Sequence, residues 1–124
     1  MSPIERARGA IGVRFRLHGR CVEFGLDCVG LAGLAYGVAV PRGYALRGGD
    51  VAQILAITQA AGLVRVGDAR AGDLLLLNVG AGQLHLAIAS ETGVIHADAG
   101  LRRVVERPGV PPWPELARWR REGG

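Results

Sequence analysis

Two side chains in this sequence have the types needed for nucleophilic acyl chemistry, a thiol at Cys28 and an imidazole at His85. A cysteine attacks as its thiolate, and a neighbouring histidine takes the proton and later returns it to the leaving group. Cys28 stands in Asp27-Cys28-Val29-Gly30-Leu31, where Asp27 is a good N-cap and places the thiol in the first turn of a helix. Unpaired amides and the helix dipole favour an anion there, so a depressed thiol pKa is expected. A free cysteine is more often just a small buried apolar residue. His85 shifts that balance, because it interrupts the apolar strand Leu84-His85-Leu86-Ala87-Ile88-Ala89 on the face opposite the leucines and isoleucine. Ala87 and Ala89 leave room on that face, which suits a helix start packed against it.

A third group should hold the second imidazole nitrogen, and His96 and Asp98 both qualify by type. In a hairpin with an even loop both lie on the His85 face, and register decides which is opposite. A four-residue loop at 89–92 sets His96 across from His85, whereas a two-residue turn at Glu91-Thr92 sets Asp98 there. A turn at Thr92-Gly93 carries His96 roughly 13 Å away along the strand. The residues leave all three registers open.

The surrounding pattern supplies the elements that must position these groups. Residues 3–12 read as a helix, with Pro3 in its first turn and Ile4, Ala7 and Ile11 at helical spacing. A Gly- and Arg-rich loop at 13–26 leads to the second helix, whose stripe is Leu31, Leu34, Ala35 and Val38 and which Pro41 stops. A third helix is expected over 50–61, opened by Asp50 and closed by Gly62. After Gly67 the periodicity changes to strands at 74–78, 84–89, 94–98 and 101–106. Turn chemistry at Gly80-Ala81-Gly82, Glu91-Thr92-Gly93 and Ala99-Gly100 makes the second to fourth strands an antiparallel meander. Four prolines keep 108–114 from continuing a sheet, and Trp113, Leu116 and Trp119 are expected to staple the tail to the body. Helices first and strands after them specify an α+β architecture.

Composition narrows the function classes. The 124 residues suit one domain over 1–124, and 49% apolar content excludes a disordered chain. Cys21 and Cys28 are too few for a disulfide scaffold, so reduced thiols are expected. The net charge of +4 comes from arginine alone, as lysine is absent, and favours anionic partners without choosing among them. Aromatic residues stand apart from the arginines, which argues against nucleic acid. Residues 1–20 carry five arginines and no apolar run, so neither a signal peptide nor a membrane span is expected. His18 and Cys21 could in principle join a zinc site, but they lack a second matched ligand pair, and a solvated loop is the expected role. Arg14, Arg16 and Arg20 suit either a cleft that binds carboxylates or a solvated face.

Gly25-Leu26-Asp27-Cys28-Val29-Gly30-Leu31, Gly72-Asp73-Leu74, His85 and Val94-Ile95-His96-Ala97, in this order and spacing, resemble the NlpC-type cell-wall peptidase family. The resemblance spans 6–106, and its motifs together are more specific than any one of them. It implies a papain-like fold in which Cys28 attacks, His85 acts as base and then acid, and His96 rather than Asp98 orients His85. It also implies cleavage of peptidoglycan stem peptides, often between D-glutamate and a diamino acid, with no metal or organic cofactor. By the same resemblance Asp27 is a candidate to contact a substrate amine, second to its capping role. The chain departs from the family at Phe15, where a tyrosine is usual and a hydroxyl near the oxyanion site is lost, at Arg14 in place of a proline, and at Val29 in place of a serine. These departures resemble short phage-tail and gene-transfer-agent members, which implies a protein made in the cytoplasm, carried on a particle and acting at the wall or periplasm. Two other functions remain open: a non-catalytic adaptor of such a particle, and a thiol acyltransferase or amidase acting on another substrate.

Overall fold

The computed structural model describes residues 1–39 and 51–121. Helix α1, Pro3–Gly9, opens with a capping box in which the Ser2 hydroxyl accepts from the Glu5 amide and the Glu5 carboxylate accepts from the Ser2 amide. It ends short of Gly12 because the chain there turns to the sheet: the Gly12 amide donates to Val104, and the Val104 amide donates to Val13. The glycine-rich segment that follows holds a small antiparallel pair, β1 (Arg20–Cys21) and β2 (Gly25–Leu26), where only a loop is expected from the sequence.

Helix α2, Cys28–Tyr36, begins at its Asp27 cap, whose carboxylate accepts from the Gly30 amide at 2.8 Å. It stops at Gly37 in the left-handed conformation, before Val38; Pro41, the expected stop, lies outside the described residues. Helix α3 covers Val51–Ala60, with Gly62 at φ +71°; its expected opener, Asp50, is likewise outside them.

Six strands follow: β3 (Leu63–Arg65), β4 (Leu74–Asn78), β5 (Leu84–Ala89), β6 (Gly93–Asp98), β7 (Arg103–Pro108) and β8 (Glu115–Arg121). They form one antiparallel sheet in the order β3-β8-β4-β5-β6-β7. The order of the meander is the expected one, but its last strand runs 103–108 rather than 101–106, so that Pro108, expected to lie outside the sheet, ends an edge strand opposite Gly93, and β3 and β8 are not read from the sequence. The prolines confine irregular chain to 109–114, and from Glu115 the chain re-enters the sheet between β3 and β4. Two residues drive that insertion, because Ala117 and Trp119 of β8 are buried in the main core while Leu116 stays exposed.

Both faces of the sheet are covered. Leu74, Leu76, Leu86, Ile88, Ile95 and Trp119 pack with Ala7, Leu31 and Ala35 of the helices. Leu75, Leu77, Ala87, Ala89 and Val94 form a second cluster against Val79 and Trp113. Double coverage explains why 74–77 is an unbroken leucine run rather than an alternating one. Asp73 enters this sheet fully buried, with Arg120 bidentate on its carboxylate at 2.7 and 3.0 Å and Arg118 at 2.9 Å. Burial opposes its charge, yet these guanidiniums hold its pKa below the usual carboxylate range. The chain is thus an α+β fold with N-terminal helices on an antiparallel sheet.

Candidate active site

Cys28 is placed by two close contacts of α2. A Cβ at Gly30 would lie 2.0 Å from the Gly19 carbonyl oxygen, so the loop before β1 seats directly on the first turn of the helix. Asp27 ties the same loop down, accepting from the His18 amide at 2.8 Å and from Arg20 at 3.1 Å. The Asp27 side chain is fully buried by these contacts and does not line the groove described next. Its place is structural: it starts the helix that carries the thiol.

That groove, a cavity of about 210 Å³, is lined by Phe15, Cys28, Gln83, His85, His96 and Trp113, among others. Arg14 is exposed, with its stem over Gly25, and Arg14, Arg16 and Arg20 do not line the groove. Phe15 reaches it from a bridge to Leu26, the residue before Asp27.

The approach of Cys28 and His85 differs from the one expected. Helix α2 packs on the leucine and isoleucine face of β5, and the alanine face carrying His85 is covered by Trp113 instead. The two side chains come to one groove because β5 and β6 part. Their pairing runs only through Ile88↔Ile95 and Ala89↔Val94, and nearer the groove the Leu86 amide faces the Cys28 sulfur. An unzipped strand pair lets a thiol on one face of a sheet share a cavity with an imidazole on the other.

The β5–β6 hairpin uses the two-residue turn at Glu91-Thr92, closed by the Ser90 amide on Gly93. Extended to the groove, this register sets Asp98 across from His85. The imidazole nevertheless bonds its diagonal neighbour, His85 Nε2 to His96 Nδ1 at 2.8 Å, with the rings edge-on at 86°. Asp98 stands behind, its Oδ2 3.9 Å from His96 Nε2. Trp113 lies edge-on to both rings, with centroids 6.2 and 5.8 Å away, and Arg107 stacks on the indole at 5.6 Å. Trp113 is a site residue that its proline-rich context disguised as a mere staple.

Electrostatics also depart from the sequence expectation. Burial pushes the Cys28 thiol up to about 12, outweighing the amides of Leu86, Val29 and Cys28 itself that favour the anion, and the Asp27 charge adds to the rise. Burial likewise lowers His85 to about 4, with His96 adding and Asp98 opposing. His96 falls too, from burial opposed by Asp98 and assisted by Arg107. In the free groove burial thus disfavours the charged form of all three groups. Among the described residues no group of three His, Cys, Asp or Glu side chains is arranged to hold a metal, and no helix is long and apolar enough to cross a membrane.

Solved structures similar to this chain include the NlpC/p60 domain of the peptidoglycan hydrolase SagA, at 30% identity over 86% of each chain with a TM-score of 0.58. The peptidoglycan hydrolase RipB of Mycobacterium tuberculosis is 25% identical over 96% of this chain and 62% of its own, with a TM-score of 0.60. The P60 domain of an antigen from M. avium subspecies paratuberculosis, at 22% identity, shares the fold over 96% of this chain and 90% of its own, with a TM-score of 0.64. Searched by sequence, no family model and no curated protein matches. With a cysteine at a helix start, a histidine pair on the adjoining sheet and a relative of that identity matched over most of its length, the chain belongs to the NlpC/p60 family.

Proposed function

We propose that this domain is a cysteine peptidase that hydrolyses peptidoglycan stem peptides, with Cys28 as nucleophile, His85 as general base and acid, and His96 as its orienting partner. The observation that carries this reading is that Cys28 and the hydrogen-bonded His85–His96 pair line one groove in an NlpC/p60 fold. The neighbours SagA and RipB are peptidoglycan hydrolases.

The chemistry follows from a groove in which burial disfavours both a free thiolate and an imidazolium. Sγ attacks the scissile carbonyl carbon as His85 accepts the thiol proton at Nδ1, the nitrogen that His96 does not occupy. Coupling attack to proton transfer avoids forming a free thiolate in a site that disfavours it. The Cys28 and Val29 amides face the sulfur and are the donors at hand as negative charge develops. The imidazolium then gives its proton to the leaving amine, a thioester remains on Cys28, and water activated by His85 releases the new carboxylate. The bond between D-glutamate and a diamino acid is our proposed target, by resemblance to the family. Carriage on a phage-tail-like particle is a further proposal, motivated by Phe15 and Val29.

Purified protein incubated with muropeptides and read by mass spectrometry tests the reading: new fragments are expected from the wild type and none from Cys28→Ala. Identical digests from the two proteins refute it. The depth of Cys28 and the missing hydroxyl at Phe15 favour a non-catalytic adaptor over an acyltransferase as the second reading, and an inert wild type bound to a particle protein would establish the adaptor instead.

A further inference from the structure

One polar atom in the groove has no partner among the described residues. His96 Nε2 is buried without a hydrogen bond, although His96 holds His85 through Nδ1 at 2.8 Å. A buried nitrogen of this kind is costly unless something completes it. The group facing it is the Asp98 carboxylate, with Oδ2 3.9 Å away, and a shift of about 1 Å brings that oxygen into hydrogen-bond range. Asp98 is not free to turn elsewhere, because Oδ1 accepts the Leu101 amide at 3.0 Å and so aims Oδ2 at the ring.

We propose that Asp98 is a fourth member of this relay, a positioning residue that fixes the tautomer of His96 and, through it, that of His85. This rests on the hydrolase reading of the site. For His85 Nδ1 to take the thiol proton it must begin bare, so the His85 proton sits on Nε2 and is donated to His96 Nδ1. His96 then carries its own proton on Nε2, directed at Asp98. One carboxylate at the end of the chain thus selects the working tautomer of two rings. The other groups facing His96 do not substitute for it: Arg107 repels a proton, and Trp113 presents a ring edge. The Asp98 charge also favours protonation of His85, which must carry a proton midway through the reaction.

The relay predicts an unusual ordering of variants. In Asp98→Asn the carbonyl oxygen stays on the Leu101 amide and the NH₂ group takes the place of Oδ2. It donates to His96 Nε2, which moves the His96 proton to Nδ1 and the His85 proton to Nδ1, against the thiol. In Asp98→Ala both rings are free to take either form. We therefore expect kcat on muropeptides to fall about 100-fold in Asp98→Asn and about 10-fold in Asp98→Ala, with KM within about two-fold of wild type. Imidazole ¹⁵N shifts should report Nε2–H on both rings in the wild type and Nδ1–H on both in Asp98→Asn. A merely structural Asp98, holding Leu101, gives the opposite order, since asparagine keeps that contact and alanine loses it. Wild-type kcat in Asp98→Asn, or unchanged ¹⁵N shifts in it, overturns the proposal. Should the wild type cleave nothing, the hydrolase reading fails by itself, while the ¹⁵N shifts still decide the role of Asp98.

Discussion

Replacing Gly30 with alanine tests how the nucleophile is seated. In an ordinary helix interior this change stabilises by about 1 kcal/mol, because glycine has more conformational freedom to lose. Here the sign should reverse. The new Cβ would sit 2.0 Å from the Gly19 carbonyl oxygen, about 1.3 Å inside the 3.3 Å at which carbon and carbonyl oxygen ordinarily meet. The obstacle is backbone, and the His18 amide and Arg20 tie that loop to the Asp27 carboxylate at 2.8 and 3.1 Å, so the loop cannot simply swing away. Overpacking of this kind costs about 1–3 kcal/mol, which outweighs the propensity gain and should lower Tm by roughly 4–8 °C in a domain of this size. Relief by moving the start of α2 shifts Cys28 relative to β5. A displacement of about 1 Å between reacting groups costs on the order of 100-fold in rate. The measurements are a thermal melt and kcat on muropeptides, with Gly9→Ala as control, since a Cβ at Gly9 meets nothing within 4 Å. Gly30→Ala with wild-type Tm and wild-type rate would refute the reasoning.

Three further outcomes are expected. Alkylation of Cys28 by iodoacetamide should keep accelerating with pH through 10, as the buried thiol is pushed up to about 12; a plateau below pH 8 would mean that the helix amides prevail over burial. Because His85 is lowered to about 4 when folded, the unfolded chain binds the proton more tightly, so its contribution to stability is present above about 6.5 and lost as pH falls through 4. The unfolding free energy from urea melts should therefore drop over that window by on the order of 2 kcal/mol, and drop less in His85→Gln. Arg120→Met removes a bidentate partner from the fully buried Asp73 and should cost about 3 kcal/mol in urea melts, toward the lower end for a broken buried pair because Arg118 remains; a loss below 1 kcal/mol would contradict it.

Local chemistry was legible in the sequence wherever near neighbours decide the structure. Asp27 announces the start of α2 because a cap acts within three residues, and the leucine run 74–77 and the alternation through Ile88 announce β4 and β5 because burial imposes its own period. Cys28 and His85 stand out by residue type and setting, while the peptidase reading and the choice of His96 over Asp98 came from the resemblance of the surrounding motifs to the NlpC-type family. Tertiary structure decided what depends on distant chain. Strand β8 was hidden because its stability comes from pairing with β3 and β4, whose paired residues lie 38 to 58 positions away in sequence, rather than from its own arginine-rich pattern. The turn at Glu91-Thr92 set one register, yet the opening of β5 from β6 gave the His85 bond to His96. The thiol's charge state likewise followed from how deeply the fold buries Cys28, a quantity that the helix-start position alone does not contain, because desolvation sums over every atom packed around the sulfur.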